Sequence, residues 1–315
     1  SNPQTLGSIS TPNTFTHNAW VSDDGEYVFT TDEQSDAYLA AYDISNINNI
    51  QEVDRIQSNP GSNSIPHNTH VDGNFLITSY YRDGTTVHDI TYPNHMIQVA
   101  YYDSYAGSGN GFNGCWGTYP FLSSGNIISS DRDSYNGKGV LNIYGRAFQQ
   151  ACYLMGNVTD GINGNNINSA DVTILSTTTS AQTNIVGDYQ TAVIDSGTYQ
   201  VVFSTIGYIS DTLSILLDNG IMTILDAQLY PIGSGCTDPL ACNYDSLATI
   251  DDSSCVYLTA TLTITSNYNG YPISCHGSSD ATVTVSATTG GSLGGYTYST
   301  DAITYSPVNT FDNLS

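Results

Sequence analysis

Basic residues are nearly missing from this chain: Lys and Arg number 5 against 29 Asp and Glu, for a formal net charge of −24 over 315 residues. They are Arg55, Arg82, Arg132, Lys138 and Arg146, and no Lys or Arg follows Arg146. Such a surface repels phosphate backbones and anionic headgroups, so no nucleic-acid partner is expected. Glutamate is also scarce, confined to Glu26, Glu33 and Glu52. No apolar run approaches the roughly 20 residues of a membrane helix, so direct membrane insertion is not expected either. No signal peptide opens the chain; if the protein is secreted, its signal has been removed or lies upstream of residue 1. No Cys-x-x-Cys pair supports a zinc ribbon or a thioredoxin motif. His-x-x-x-His on a helix and the Gly-x-Ser-x-Gly elbow are both missing. Helix signals are nearly absent.

What remains is a β-rich palette. Charged residues make up 11% of the chain, well under the roughly 25% of ordinary globular domains. Ser, Thr, Asn and Gly must therefore supply most of the polar surface. Hydrophobic residues, at 39%, suffice for real cores. Short alternating runs recur between Gly, Asn, Asp and Ser clusters, which predicts an all-β chain of two to four domains. The 24 Tyr residues suit a pleated, half-buried surface.

Residues 1–149 carry three related units. The first has Phe15 to Trp20, Tyr27 to Thr31 and Tyr38 to Ile44. The second has Ile65 to Asn68, Phe75 to Tyr81, Thr86 to Ile90 and Ile97 to Tyr102. The third has Trp116 to Pro120, Asn126 to Ser130 and Val140 to Tyr144. Units of about 40–50 residues with three or four strands have the size of a propeller blade. The segments His17-Asn18, Ser22 to Tyr27, Thr30 to Glu33, Ile65-Pro-His-Asn68, Ser79 to Gly84 and Trp116 to Gly125 resemble the choice-of-anchor B family of Bacteroidota. That resemblance implies a secreted β-propeller of LVIVD-type repeats, with His17, Asn18, His67, Asn68 and Trp116 as blade-motif residues. A propeller typically needs four to eight blades, so this one is expected to be partial, completed upstream of residue 1 or by a partner chain.

Residues 150–231 resemble the carboxypeptidase regulatory-like domain, through Gly156 to Asp160, Ala170 to Ile174, Gly197-Thr-Tyr199 and Gly207-Tyr208. The resemblance implies a seven-stranded, transthyretin-like sandwich serving as spacer or binding module. Residues 232–257 resemble a cysteine- and aspartate-rich repeat reminiscent of thrombospondin type-3 calcium repeats. A segment this small cannot build a core and needs a staple. Residues 258–315 resemble a partial SprB-type, Ig-like repeat of gliding adhesins, through Ile273 to Asp280, Ala281 to Ala287 and Gly295 to Tyr298. Both ends of the chain are expected to fall inside modules of a longer protein.

The six cysteines are Cys115, Cys152, Cys236, Cys242, Cys255 and Cys275. Cys236 and Cys255 bracket the small module and are the first choice for a bridge, with Cys242–Cys255 as the alternative; a local disulfide reads as an oxidising compartment. Ca²⁺ on Asp238, Asp245, Asp251 and Asp252 is the candidate second staple, since Ca²⁺ takes hard oxygen ligands; plain turn chemistry is its rival. Cys115 and Cys152 flank the third unit, either as a clamp or as two free buried thiols. His17, His67, His70, His88 and His95, with Asp32, Glu33 and Asp83, are the candidates for metal binding or acid–base work. Recurrence of the His-Asn pair at the repeat period favours a structural role. Trp20 and Trp116 are candidates for a sugar platform against a core role. Thr212 and Ser246 lie in Asp-Ser/Thr-aliphatic triplets resembling Bacteroidota O-glycosylation sites.

The expected protein is a non-enzymatic, extracellular surface or adhesion protein, exported by type IX secretion as the resemblances imply. Self-association or other surface proteins are the expected partners. A glycan-binding receptor propeller is the alternative, and a secreted hydrolase the third reading, which requires several His and Asp residues to converge.

Overall fold

The computed structural model describes residues 2–107, 109–289 and 295–314. Every helix or strand among the described residues is a β-strand, and none is a helix long and apolar enough to cross a membrane. The first sheet is a four-stranded antiparallel meander of β1 (Thr16–Val21), β2 (Tyr27–Asp32), β3 (Leu39–Asp43) and β4 (Gln51–Ile56). Its first turn is local chemistry. Ser22 Oγ donates to Asp24 Oδ1, Asp24 takes the Glu26 N–H, and Gly25 supplies a φ of 77°.

A second meander holds β5 (Thr69–Asp72), β6 (Phe75–Tyr80), β7 (Gly84–Asp89) and β8 (Ile97–Tyr102). A third sheet has three strands, β9 (Gly114–Tyr119), β10 (Ile127–Tyr135) and β11 (Lys138–Tyr144). The inner strands of the second sheet, β6 and β7, are buried on both faces. Leu76 and Tyr80 pack with Phe29, Leu39 and Ala41 of the first sheet, and Ile77 and Val87 pack with Ile127 of the third. Each such side chain contributes about 1.5–3 kcal/mol by leaving water.

Two strand expectations need correction. β4 was not expected, because Gln51–Ile56 carries three charged residues; it is an edge strand and half wet. The first strand of the second unit lies at Thr69–Asp72 rather than Ile65 to Asn68. There the ladder runs on irregularly, with the His67 N–H donating to Ser79 O and the Ser79 N–H to Asn68 O.

The next eight strands form a two-sheet sandwich. They are β12 (Cys152–Asp160), β13 (Asp171–Ile174), β14 (Ser180–Gln182), β15 (Asp188–Val193), β16 (Gly197–Ser204), β17 (Asp211–Leu217), β18 (Met222–Ile224) and β19 (Ala227–Leu229). One sheet joins β15, β12, β18 and β19; the other runs β14-β13-β16-β17. β18 and β19 both pair in parallel with β12, so they are one strand broken at Leu225 and Asp226, which reconciles eight elements with the expected seven. Leu154, Val158, Val172, Val201, Phe203 and Leu229 fill the space between the sheets. Beyond it lie a two-stranded parallel pair, β20 (Ser234–Gly235) and β21 (Ile250–Asp251), and an antiparallel sheet of β22 (Thr259–Ile264), β23 (Ala281–Thr289) and β24 (Thr310–Leu314).

Candidate functional site

The first strands of the three N-terminal sheets approach one another, and most of the sequence-predicted residues meet there. Gly114 makes the approach feasible. Its φ is 85°, and a Cβ on it would sit 2.2 Å from the Tyr81 carbonyl oxygen. With that space empty, the Cys115 N–H donates to Tyr81 O at 2.7 Å and β9 lies against the end of β6. Asn18 ties β1 to β5 by accepting the Thr69 N–H on Oδ1 at 3.1 Å.

The histidines of the two His-Asn pairs then meet. The His17 and His67 rings stack with centroids 4.4 Å apart. Glu33, just after β2, lies between them: Oε2 is 3.2 Å from His17 Nδ1 and Oε1 is 3.8 Å from His67 Nε2. Tyr81 donates its hydroxyl to Glu33 Oε1 at 2.6 Å. His67 Nδ1 lies 2.5 Å from the Trp116 carbonyl, which can only accept, so Nδ1 carries the proton and Nε2 offers a lone pair. Burial pulls the His67 pKa down, and the facing His17 adds to this. His67 is buried, Glu33 is half-buried and His17 is exposed. The Trp116 ring stands edge-on to His67, 5.5 Å away, with Arg132 over it. Both blade-motif histidines and Trp116 thus belong to one cluster; their spacing in sequence shows the repeat but not the convergence.

Other candidates lie apart. His70 packs against Trp20 and Phe121, and Trp20 stacks on Phe121. His88 is fully buried, and neither ring nitrogen has a hydrogen-bond partner. His95 packs edge-on to Tyr153. Asp32 accepts the Asn13 N–H, and Asp83 accepts the Ser58 hydroxyl.

In the small module a disulfide joins Cys236 and Cys255, and Cys242 is an exposed free thiol. Cys115 and Cys152 are separate buried thiols rather than a clamp: Cys115 Sγ sits by Ser129 Oγ and Cys152 Sγ by Ile194 O. The four candidate calcium ligands are not brought together. Among the described residues only His17, Glu33 and His67 form a group with ligand atoms within 4.8 Å of one another. Asp238, Asp245, Asp251 and Asp252 each accept the backbone N–H two residues on with Oδ1, a turn role for one oxygen of each carboxylate. Thr212 and Ser246 are exposed.

A further surface escaped sequence reasoning. Tyr119, Ile128 and Ile143 lie in one row across β9, β10 and β11, with Leu141 next to it along β11. Leu141 and Ile143 are 66% and 63% exposed. Their alternation with Val140, Asn142 and Tyr144 was legible, but which face another sheet would cover was not.

No curated protein matches the chain. Among solved structures it is similar to a candidate carbohydrate-binding protein from Bacteroides uniformis, with 13% identity over 45% of this chain and a TM-score of 0.22. The chain spans about half, 54%, of that protein's length. A minor pilin of Streptococcus agalactiae is similar at 9% identity over 47% of this chain and 68% of its own, with a TM-score of 0.23. The periplasmic gluconolactonase of Pseudomonas aeruginosa is similar at 14% identity over 65% of this chain and 55% of its own, with a TM-score of 0.30. One family model matches, over the sandwich built by β12 to β19: residues 154–230 are a CarboxypepD_reg-like domain.

Proposed function

We propose that the chain is a non-enzymatic structural and adhesive protein of the cell surface. In this reading the three N-terminal sheets are blades of a β-propeller, and a second copy of the chain covers the last of them. The observation that carries it is the apolar row Tyr119–Ile128–Ile143, with Leu141, on the far face of the third sheet. Sheets pack face to face about 10 Å apart, and the second sheet already has a neighbour on each face. Among the described residues the third packs through its Ile127 side, while Leu141 and Ile143 on the opposite face are exposed, which leaves that face to a partner. The sandwich and the disulfide module act as a stalk, and the disulfide suits an oxidising exterior.

Sedimentation velocity over a concentration series tests this. The chain should self-associate, and Ile143→Lys combined with Leu141→Glu should leave it monomeric with an unchanged circular dichroism spectrum. A wild-type chain that stays monomeric at every concentration sinks the reading.

A second reading, a ligand- or glycan-binding propeller on a stalk, draws on the half-exposed Trp116 and Phe112 around the His17–Glu33–His67 cluster. Glycan-array binding that Trp116→Ala abolishes would favour it. The hydrolase reading requires several His and Asp residues to converge, and the group here is two histidines and one glutamate; hydrolysis of a generic ester or peptide substrate, lost in Glu33→Gln, would favour that reading instead.

A further inference from the structure

The chain is rich in Asp, yet the group that gathers is rich in nitrogen. We infer that His17 Nδ1, Glu33 and His67 Nε2 form a binding site for a divalent transition metal of the Zn²⁺ class, bridging the first and second sheets. In a tetrahedral zinc site with bonds of about 2.0–2.1 Å, ligand atoms stand roughly 3.3 Å apart. The carboxylate turns one oxygen to each ring, Oε2 at 3.2 Å from His17 Nδ1 and Oε1 at 3.8 Å from His67 Nε2, and one ligand atom from each residue lies within 4.8 Å of the other two.

The surroundings match what such a site needs. A metal-binding imidazole gives its other ring nitrogen to a carbonyl or carboxylate, which fixes the tautomer and the ring plane. His67 does this through Trp116 O at 2.5 Å. The ligating carboxylate is itself held, by the Tyr81 hydroxyl at 2.6 Å. Two imidazoles and one carboxylate suit Zn²⁺, Co²⁺ or Ni²⁺ and disfavour Ca²⁺, which takes six to eight oxygens. The ligands come from β1, the residue just after β2 and the segment before β5, so a bound ion adds a cross-link to the apolar packing and to hydrogen bonds such as Asn18–Thr69, Thr31–His67 and Tyr81–Glu33 that already join these units. Three protein donors leave a fourth position, and His17, with 31% of its side chain exposed, sets the site at the solvent boundary. Water or a partner's donor atom completes the shell there.

The test is calorimetric titration of the disulfide-intact, chelator-stripped chain with ZnCl₂ at neutral pH, with CaCl₂ as a second arm. One equivalent of Zn²⁺ should bind with a rise in melting temperature, and Co²⁺ should give the intense visible spectrum of a tetrahedral site. Glu33→Gln and His17→Gln should each weaken Zn²⁺ binding by at least about tenfold, while Asp238→Asn leaves it unchanged. His17→Gln keeps the test readable if changes at the more buried residues disturb the fold, since circular dichroism would report that separately. Absence of a saturable single equivalent overturns the site, as does unchanged affinity in folded Glu33→Gln and His17→Gln. Ca²⁺ binding to the same residues in preference to Zn²⁺ also overturns it. None of these results bears on self-association, because Leu141 and Ile143 lie on a different sheet from all three ligands.

Discussion

Asp89, at the end of β7 and fully buried, accepts the backbone N–H of Ala151 on Oδ2 at 2.7 Å. Its other oxygen takes the Thr91 N–H and hydroxyl. Gln150 donates to Thr91 Oγ1, and the Met222 N–H donates to the Tyr92 hydroxyl. One carboxylate thus anchors the sandwich to the second meander.

Removing it should uncouple the two. Asp89→Ala leaves the buried Ala151 N–H without a partner, at a cost of about 1–3 kcal/mol. Differential scanning calorimetry should show the N-terminal sheets and the sandwich separating into two transitions in the variant. A single transition at the wild-type temperature would contradict the anchoring role.

His88 gives the protein an acid-sensitive core. Burial drives its pKa down from 6.5 to about 3. Between those values the unfolded chain takes up a proton that the folded chain refuses, so stability falls as pH drops from about 6.5 toward 3. The slope from this one group approaches about 1.4 kcal/mol per pH unit. Denaturant titrations should show His88→Leu gaining on the wild type by about that much between pH 6 and pH 5. Parallel pH profiles for the two would rule the effect out.

Within the sandwich, Tyr208 donates to Asp160 Oδ2 at 2.8 Å across 48 residues of sequence. Burial pushes the Asp160 pKa up, but hydrogen bonds from Ile162, Tyr208 and Asn163 together hold it below the ordinary carboxylate range. The stabilisation is present above the unfolded pKa and is lost as pH falls through the lowered folded value. Tyr208→Phe should cost about 1.5 kcal/mol in urea unfolding at neutral pH, and less once the carboxylate is protonated. An unchanged midpoint at pH 7 would refute this.

Thiol chemistry separates the cysteines. Alkylation of the native chain should label exposed Cys242 and Cys275 and spare Cys115 and Cys152, whose thiols burial pushes up to about 11. Mass spectrometry of the labelled peptides reads this directly. Reducing Cys236–Cys255, which closes a separation of 19 residues, should remove about 3 kcal/mol of loop constraint. Chymotrypsin should then cut after Tyr244, exposed in that loop, while the sandwich resists. Equal cleavage before and after reduction would show that the bridge does not hold the module.

Turn chemistry and strand period were legible wherever they are local. Ser22 to Tyr27 marks its hairpin, because the Ser22 and Asp24 side chains hydrogen-bond within the turn and Gly25 supplies the positive φ. Gln51–Ile56 was not legible as a strand, since an edge strand can be charged and still pair on one side. The Asp residues near 240 suggested an ion, and each carboxylate also takes a nearby N–H on one of its oxygens.

By itself, then, the sequence determined an all-β, strongly acidic chain in which a His-Asn pair recurs in successive units and one small module needs a covalent staple. Composition and period set these properties because each depends on residues close in the chain. That His17 and His67 stack around Glu33, that Trp116 presents its carbonyl to His67, and that Ile143 faces outward were decided by the tertiary structure alone. They depend on how three sheets pack, and that packing is fixed by apolar side chains distant in sequence from the groups it brings together.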